Sequence, residues 1–154
     1  MTYAIQRVMP LEGYVVRRGF SAIELTIVVT VISVLSAIAV PATARLLDRM
    51  RIRAAVTEVE AVFGTARHAA IARAAIATVE IDTVGRTISV VLVGDTLRRA
   101  QLGREYGVDL ATNRTSMSYA ATGIGYGAAN LSVVVGKGSI ADTIVVSRLG
   151  RVRH

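Results

Sequence analysis

Three features of this 154-residue chain predict an α+β fold, one long N-terminal helix packed on a mostly antiparallel β-sheet domain. Leu25 to Ala44 is mostly aliphatic and carries no charge, and from Arg45 to about Ala77 apolar residues recur with a helical period. Beyond Thr78 the period drops to two, punctuated by glycine turns. A helix with one apolar face needs a sheet to cover, and a small sheet needs a helix to close its core. The apolar run is therefore followed by one domain of roughly 110 residues.

The run itself comes first. In helical form Leu25–Ala44 spans roughly 30 Å, the thickness of a bilayer's hydrocarbon core. Its β-branched residues weaken a helix in water, but lipid forces the backbone to satisfy its own hydrogen bonds and so favours helix. Glu24 stands at the edge of the run, where a lone carboxylate costs on the order of 3 kcal/mol at full depth and so marks a functional residue awaiting a cation. A cut between Gly19 and Phe20 would place a new α-amine one helical turn from Glu24, on the same chain or on a neighbouring copy.

Residues Met1–Gly19 form a short leader with Arg7, Arg17 and Arg18 against one acid, Glu12, and either Met1 or Met9 can serve as its start. Positive charge before an apolar span keeps the leader cytoplasmic and sends the C-terminal domain to the opposite side of the membrane. Pro41 removes a backbone donor inside the helix and is expected to kink or loosen it. The helix then resumes over 45–77 with Val56, Val59, Val62 or Phe63, Ala66, Ala70 and Ala74 on its buried face.

Strands are expected at Thr78–Asp82 and Thr87–Val93, joined by a turn at Val84-Gly85-Arg86, with Gly94-Asp95 closing that hairpin. Leu97–Tyr106 is ambiguous. Val108–Leu110, Ser116–Tyr119, Leu131–Val135 and Thr143–Val146 are short strand candidates, separated by turns at Thr112-Asn113-Arg114, Gly123–Gly127 and Gly136-Lys137-Gly138. The expected sum is a sheet of five to seven short strands over 78–154.

The formal net charge is +7, and it is not confined to the leader: from Arg45 onward 15 Arg and Lys face 9 Asp and Glu, leaving +6. A basic exported domain points to anionic partners such as nucleic acid or lipid headgroups, or to a generally arginine-favouring proteome, since Lys137 is its only lysine. There is no cysteine, which excludes disulfides and thiolate metal sites.

Nothing in the pattern assembles an enzyme, a metal site or a cofactor site. Glu58 and Glu60 cannot share a helix face at a spacing of two, and His68 has no second histidine one turn away, so it reads as a surface or helix-edge residue. Gly123-Ile124-Gly125-Tyr126-Gly127 is not followed by a helix start and does not read as a phosphate-cradling loop. The distal motif that remains is Gly150-Arg151-Val152-Arg153. On an extended segment Arg151 and Arg153 point to one side, roughly 6 to 7 Å apart, and could each grip a phosphate with help from Arg148 or Lys137. The alternative is a solvated basic terminus or a tail that closes a sheet edge.

Gly19-Phe20-Ser21-Ala22-Ile23-Glu24, the basic pair before the glycine, the unbroken apolar run and Pro41 together resemble the prepilin signature of type IV pilins and secretion-system pseudopilins. The resemblance implies cleavage after Gly19 by a membrane-embedded prepilin peptidase, N-methylation of Phe20, and pairing of Glu24 with the N-terminal amine during filament assembly. Ser21 stands where that family more often has threonine. A secretory signal ending at Ala42-Thr43-Ala44, a twin-arginine signal at Arg17-Arg18 and a plain single-pass anchor are the competing readings. The first two need a shorter apolar run, and none of the three explains the glycine, the carboxylate and the proline together.

A second resemblance rests on Ala66-Arg67-His68-Ala69-Ala70-Ile71, the strand around Val79, and the ending Ile144–Arg153, which are similar to the minor pilin and pseudopilin group containing FimT and GspH. It implies a non-enzymatic subunit of the inner membrane with a periplasmic C-terminal domain, built with other pilin subunits into a type IV pilus or a type II secretion pseudopilus. In the FimT-like branch a Gly-Arg-x-Arg ending is associated with binding double-stranded DNA in natural transformation. That role carries over only to Gly150, Arg151 and Arg153. A GspH-like tip subunit of a type II secretion system, with no DNA contact, is the alternative.

Overall fold

The computed structural model describes residues 19–126 and 130–153. Residues 1–18 of the expected leader, Arg17 and Arg18 among them, lie outside the described residues, as do Gly127 and His154. The fold is α+β, with helix α1 (Ala22–Ala72) followed by strands arranged in two antiparallel sheets. The chain divides into two units at Pro41, which lies inside α1.

In the first unit, Ser21 and Glu24 form a capping box at the start of α1. The Ser21 amide donates to Glu24 Oε2 at 3.3 Å, and Ser21 Oγ accepts from the Ile23 amide at 3.4 Å. Further on, the hydroxyls of Thr26, Thr30 and Ser33 donate back to the carbonyls of Ile23, Thr26 and Val29, which hides polar atoms along an otherwise aliphatic surface. The helix is long and apolar enough to cross a membrane.

In the second unit, burial on α1 begins at Ile52 and runs through Ala55, Val56, Val59, Val62, Phe63, Ala66 and Ala70, the stripe that the helical period predicts. Leu46, Leu47 and Met50 remain exposed, so apolar surface continues past Ala44. The helix ends at Ala72, short of the expected Ala77. Its carbonyls are satisfied by a Schellman motif, in which the Ala75 amide donates to Ala70 O, the Ala74 amide donates to Ile71 O, and Ala74 takes φ 48°. Alanine in the left-handed position gives no stop signal in the sequence, and this places Ala74 in the turn rather than on the buried face.

The first sheet has the order β3-β2-β1-β5-β6, built from β1 (Ala77–Asp82), β2 (Thr87–Leu92), β3 (Asp95–Ala100), β5 (Ser116–Tyr119) and β6 (Gly125–Tyr126). The second has the order β4-β7-β8-β9, from β4 (Asp109–Thr112), β7 (Leu131–Lys137), β8 (Ile140–Val146) and β9 (Val152–Arg153). The expected single sheet is thus two. The ambiguous stretch Leu97–Tyr106 resolves into the end of β3 and a one-turn helix α2 (Leu102–Glu105). Gly94-Asp95 does not close the first hairpin: Val93 and Gly94, at φ 53° and 90°, turn the chain from β2 into β3. The short pairings of β6 and β9 fell in stretches read as loop and tail, because two residues carry no alternation to detect.

Alternation then fixes what is inside. Leu131, Val133 and Val135 of β7, Ile144 and Val146 of β8, and Val79, Ile81, Ile88 and Val90 of the first sheet join the α1 stripe in one buried cluster. The Asp82 carboxylate closes the β1–β2 turn by accepting from the amides of Val84 and Gly85, each at 2.9 Å. Arg98 of β3 ties the sheet to α1, donating to Glu58 Oε1 at 2.8 Å and to Thr65 Oγ1 at 3.0 Å.

Candidate functional site

The C-terminal tail is an edge strand. Val152 pairs with Val146 and Arg153 with Val145, so β9 closes one side of the second sheet. The turn leading into it is held by its own groups. The Gly150 amide donates to Ser147 O at 2.8 Å, the Ser147 amide to Arg151 O at 2.8 Å, and the Arg151 amide to Ser147 Oγ at 3.1 Å. Gly150 has φ +76°, and a Cβ there would lie 2.6 Å from Tyr119 Cε1, so both the backbone and the packing require glycine. Tyr119 is almost wholly buried, and that burial raises its hydroxyl pKa to about 12, offset in part by the Arg67 guanidinium.

With Val152 turned partly inward, Arg151 and Arg153 are exposed. Val152 shares the inward face of its partner Val146, so Arg151 and Arg153 belong to the outer face of the sheet. Residues 150–153 and the helix residues Glu60, Phe63, Gly64, Arg67 and His68 together line a cleft of about 430 Å³. Basic residues thus lie on both sides of that cleft, Arg67 and His68 on the helix and Arg151 and Arg153 on the tail, with Glu60, Phe63 and Val152 among them.

The other cations expected at the tail do not join this cleft. Arg148 is exposed in the turn, its amide donating to Asn130 Oδ1 at 3.2 Å, and it does not line the cleft. Lys137 is at the opposite end of β7 and β8, beside the turn that pairs it with Ile140, and its Nζ lies 3.2 Å from Asp48 Oδ1. Asp48 and Arg67 are 19 residues apart on α1, roughly 28 Å along the axis. Lys137 thus braces the start of the domain helix.

Phe20 is exposed just before α1, and Glu24 is engaged at the helix N-terminus. Arg67 and His68 line the cleft from ordinary polar positions on the helix, which carry no site signal in the sequence pattern. No cluster of three or more His, Cys, Asp or Glu side chains that could hold a metal is present among the described residues.

The sequence matches no protein-family model and no curated protein. Among solved structures the chain is similar to the type IV minor pilin FimU of Pseudomonas aeruginosa in two crystal forms. The first match has TM-score 0.58 and 17% identity, covering 70% of this chain and 90% of FimU. The second has TM-score 0.53 and 17% identity, covering 66% and 90%. This likeness establishes the fold of the chain as type IV pilin-like.

Proposed function

We propose that the chain is a minor pilin-like subunit of the group containing FimT and GspH, made as a prepilin and assembled with other pilin subunits into a type IV pilus or pseudopilus. Its work is assembly and binding, with no catalysis and no cofactor. In this reading a prepilin peptidase cuts between Gly19 and Phe20, and Phe20 is then N-methylated. Residues 20–44 hold the subunit in the inner membrane and later in the filament core, with the domain from residue 45 onward on the periplasmic side. The observation that carries the reading is the pilin-like fold joined to the prepilin signature.

The capping box supports the part given to Glu24. Its carboxylate already reaches the backbone at Ser21, one residue from the amine that cleavage would create at Phe20. Co-expression with a prepilin peptidase tests the processing step. The mature chain is expected to begin at Phe20, and an N-terminus at Arg45 would sink the proposal in favour of an export signal.

The exposed tail arginines favour DNA as the outer ligand. Guanidinium contacts to phosphate are sequence-independent and weaken with salt, so the full chain in non-ionic detergent is expected to bind duplex DNA at low salt. The double variant Arg151→Ala/Arg153→Ala is expected to lose that binding. One observation favours the second reading, a GspH-like structural subunit of a type II secretion system: β9 closes a sheet edge, which gives the tail a role without DNA. Wild-type chain that fails to bind DNA at low salt would decide for it.

A further inference from the structure

We propose that the outer face of the first sheet holds a site for a short zwitterionic ligand, a peptide of about three residues with a free ammonium and a free carboxylate. The site is separate from the tail and depends on neither the assembly nor the DNA reading. The observation that opens it is Ser89. Ile88, Val90 and Leu92 of β2 lie in the core, which puts Ser89 on the opposite face, yet Ser89 is only 9% exposed. Among the described residues its hydroxyl has no hydrogen-bond partner, and no side-chain polar atom is sealed from the surface without one. The hydroxyl therefore opens into a groove of about 760 Å³, which Ser89 lines. An unpartnered hydroxyl at so buried a place costs stability, and a β-branched apolar residue would suit the middle of a strand better. Folding does not account for the serine; a polar ligand does.

Cross-strand pairing sets the charges of the groove. The registers align Ser116, Glu80, Ser89 and Arg99 in one row across β5, β1, β2 and β3. Glu80 and Arg99 are exposed and line the groove on either side of the serine. They stand two strand spacings apart, roughly 10 Å. Neither has an ion pair among the described residues. Asp82, next along the same face of β1, adds negative charge beside Glu80, although its Oδ1 is engaged by the turn amides.

The class of ligand follows from those charges. A simple anion would meet two carboxylates, and a simple cation would lie beside Arg99. A ligand that carries both charges satisfies both ends, with its ammonium on Glu80 and its carboxylate in the Arg99 fork. Between them the hydroxyls of Ser89 and Thr87 can each donate to or accept from peptide groups. An extended chain covers roughly 3.3–3.6 Å per residue, so three residues bridge the two charges.

The test titrates tri-alanine with free ends into the full chain in non-ionic detergent by isothermal calorimetry, beside its N-acetyl and C-amide forms. Tri-alanine is expected to bind saturably, and each cap to weaken binding by about tenfold through the loss of one charge-assisted contact. In Glu80→Gln the free and N-acetyl peptides are expected to bind alike, and in Arg99→Gln the free and C-amide peptides. Ser89→Val replaces the unpartnered hydroxyl with a good strand former, so the melting temperature is expected to hold or rise while all forms bind more weakly. Wild-type chain that binds no tri-alanine overturns the site. Equal binding of free and capped peptides, or variants that still discriminate between them as wild type does, overturns the zwitterion as its ligand.

Discussion

The two parts of α1 use the same kinds of residue to opposite ends. From Ile23 to Val40 every valine, isoleucine and leucine is between 46% and 69% exposed. From Ile52 to Ala70 the valines, alanines and Phe63 of the stripe are almost fully buried against two sheets. Composition does not separate the two parts; the presence of a partner surface does. The second part brings its cover in the same chain. The first is apolar on all sides, which fits lipid or a bundle of like helices.

The sharpest way to break this contrast is to truncate one large residue in each part. Phe63→Ala is expected to cost the domain about 3–5 kcal/mol, from lost transfer energy and the cavity left behind. Ile32→Ala is expected to leave domain unfolding unchanged, because its side chain is 56% exposed. Denaturant titration of the full chain in detergent, followed by domain-specific circular dichroism, measures both. A large effect of Ile32→Ala would mean that the first part is structurally coupled to the domain core.

A second test concerns how firmly the second part holds its tail. Gly150→Ala forces a side chain into the left-handed region and against Tyr119, and is expected to destabilise the domain by about 1–3 kcal/mol. Hydrogen exchange at the β8–β9 amides would show whether the loss is local to the edge strand.

Tyr119 offers a smaller test of the same packing. Its hydroxyl pKa is raised from 10.0 to about 12, so the folded state keeps a proton that the unfolded chain releases. Stability from this group is whole below pH 10 and declines as pH rises towards 12, at a rate on the order of 1 kcal/mol per pH unit. Tyr119→Phe is expected to flatten that decline in denaturation curves taken on either side of pH 10.

The smallest expected effect lies at the end of the helix. Ala74→Gly relieves a left-handed alanine and is expected to add up to about 1 kcal/mol. No gain would mean that the alanine's strain is offset elsewhere in the turn.

By itself the sequence determined the things that depend on local pattern. An uncharged run of membrane length, a 3.6-residue stripe and then alternating strands are all written in neighbouring residues, and they are enough for the α+β class and most of the core. Only the tertiary structure decided how many sheets there are, because strand partners such as β4 with β7 and β8 with β9 are chosen by the closure of the core, not by the strand's own residues. It also divided the basic residues. Lys137, close to the tail in sequence, went to Asp48 at the far end of the hairpin, while Arg67 and His68, more than 80 residues before the tail, came to face it across a cleft. Helix rise and strand direction set those distances, and neither can be read from a charge pattern.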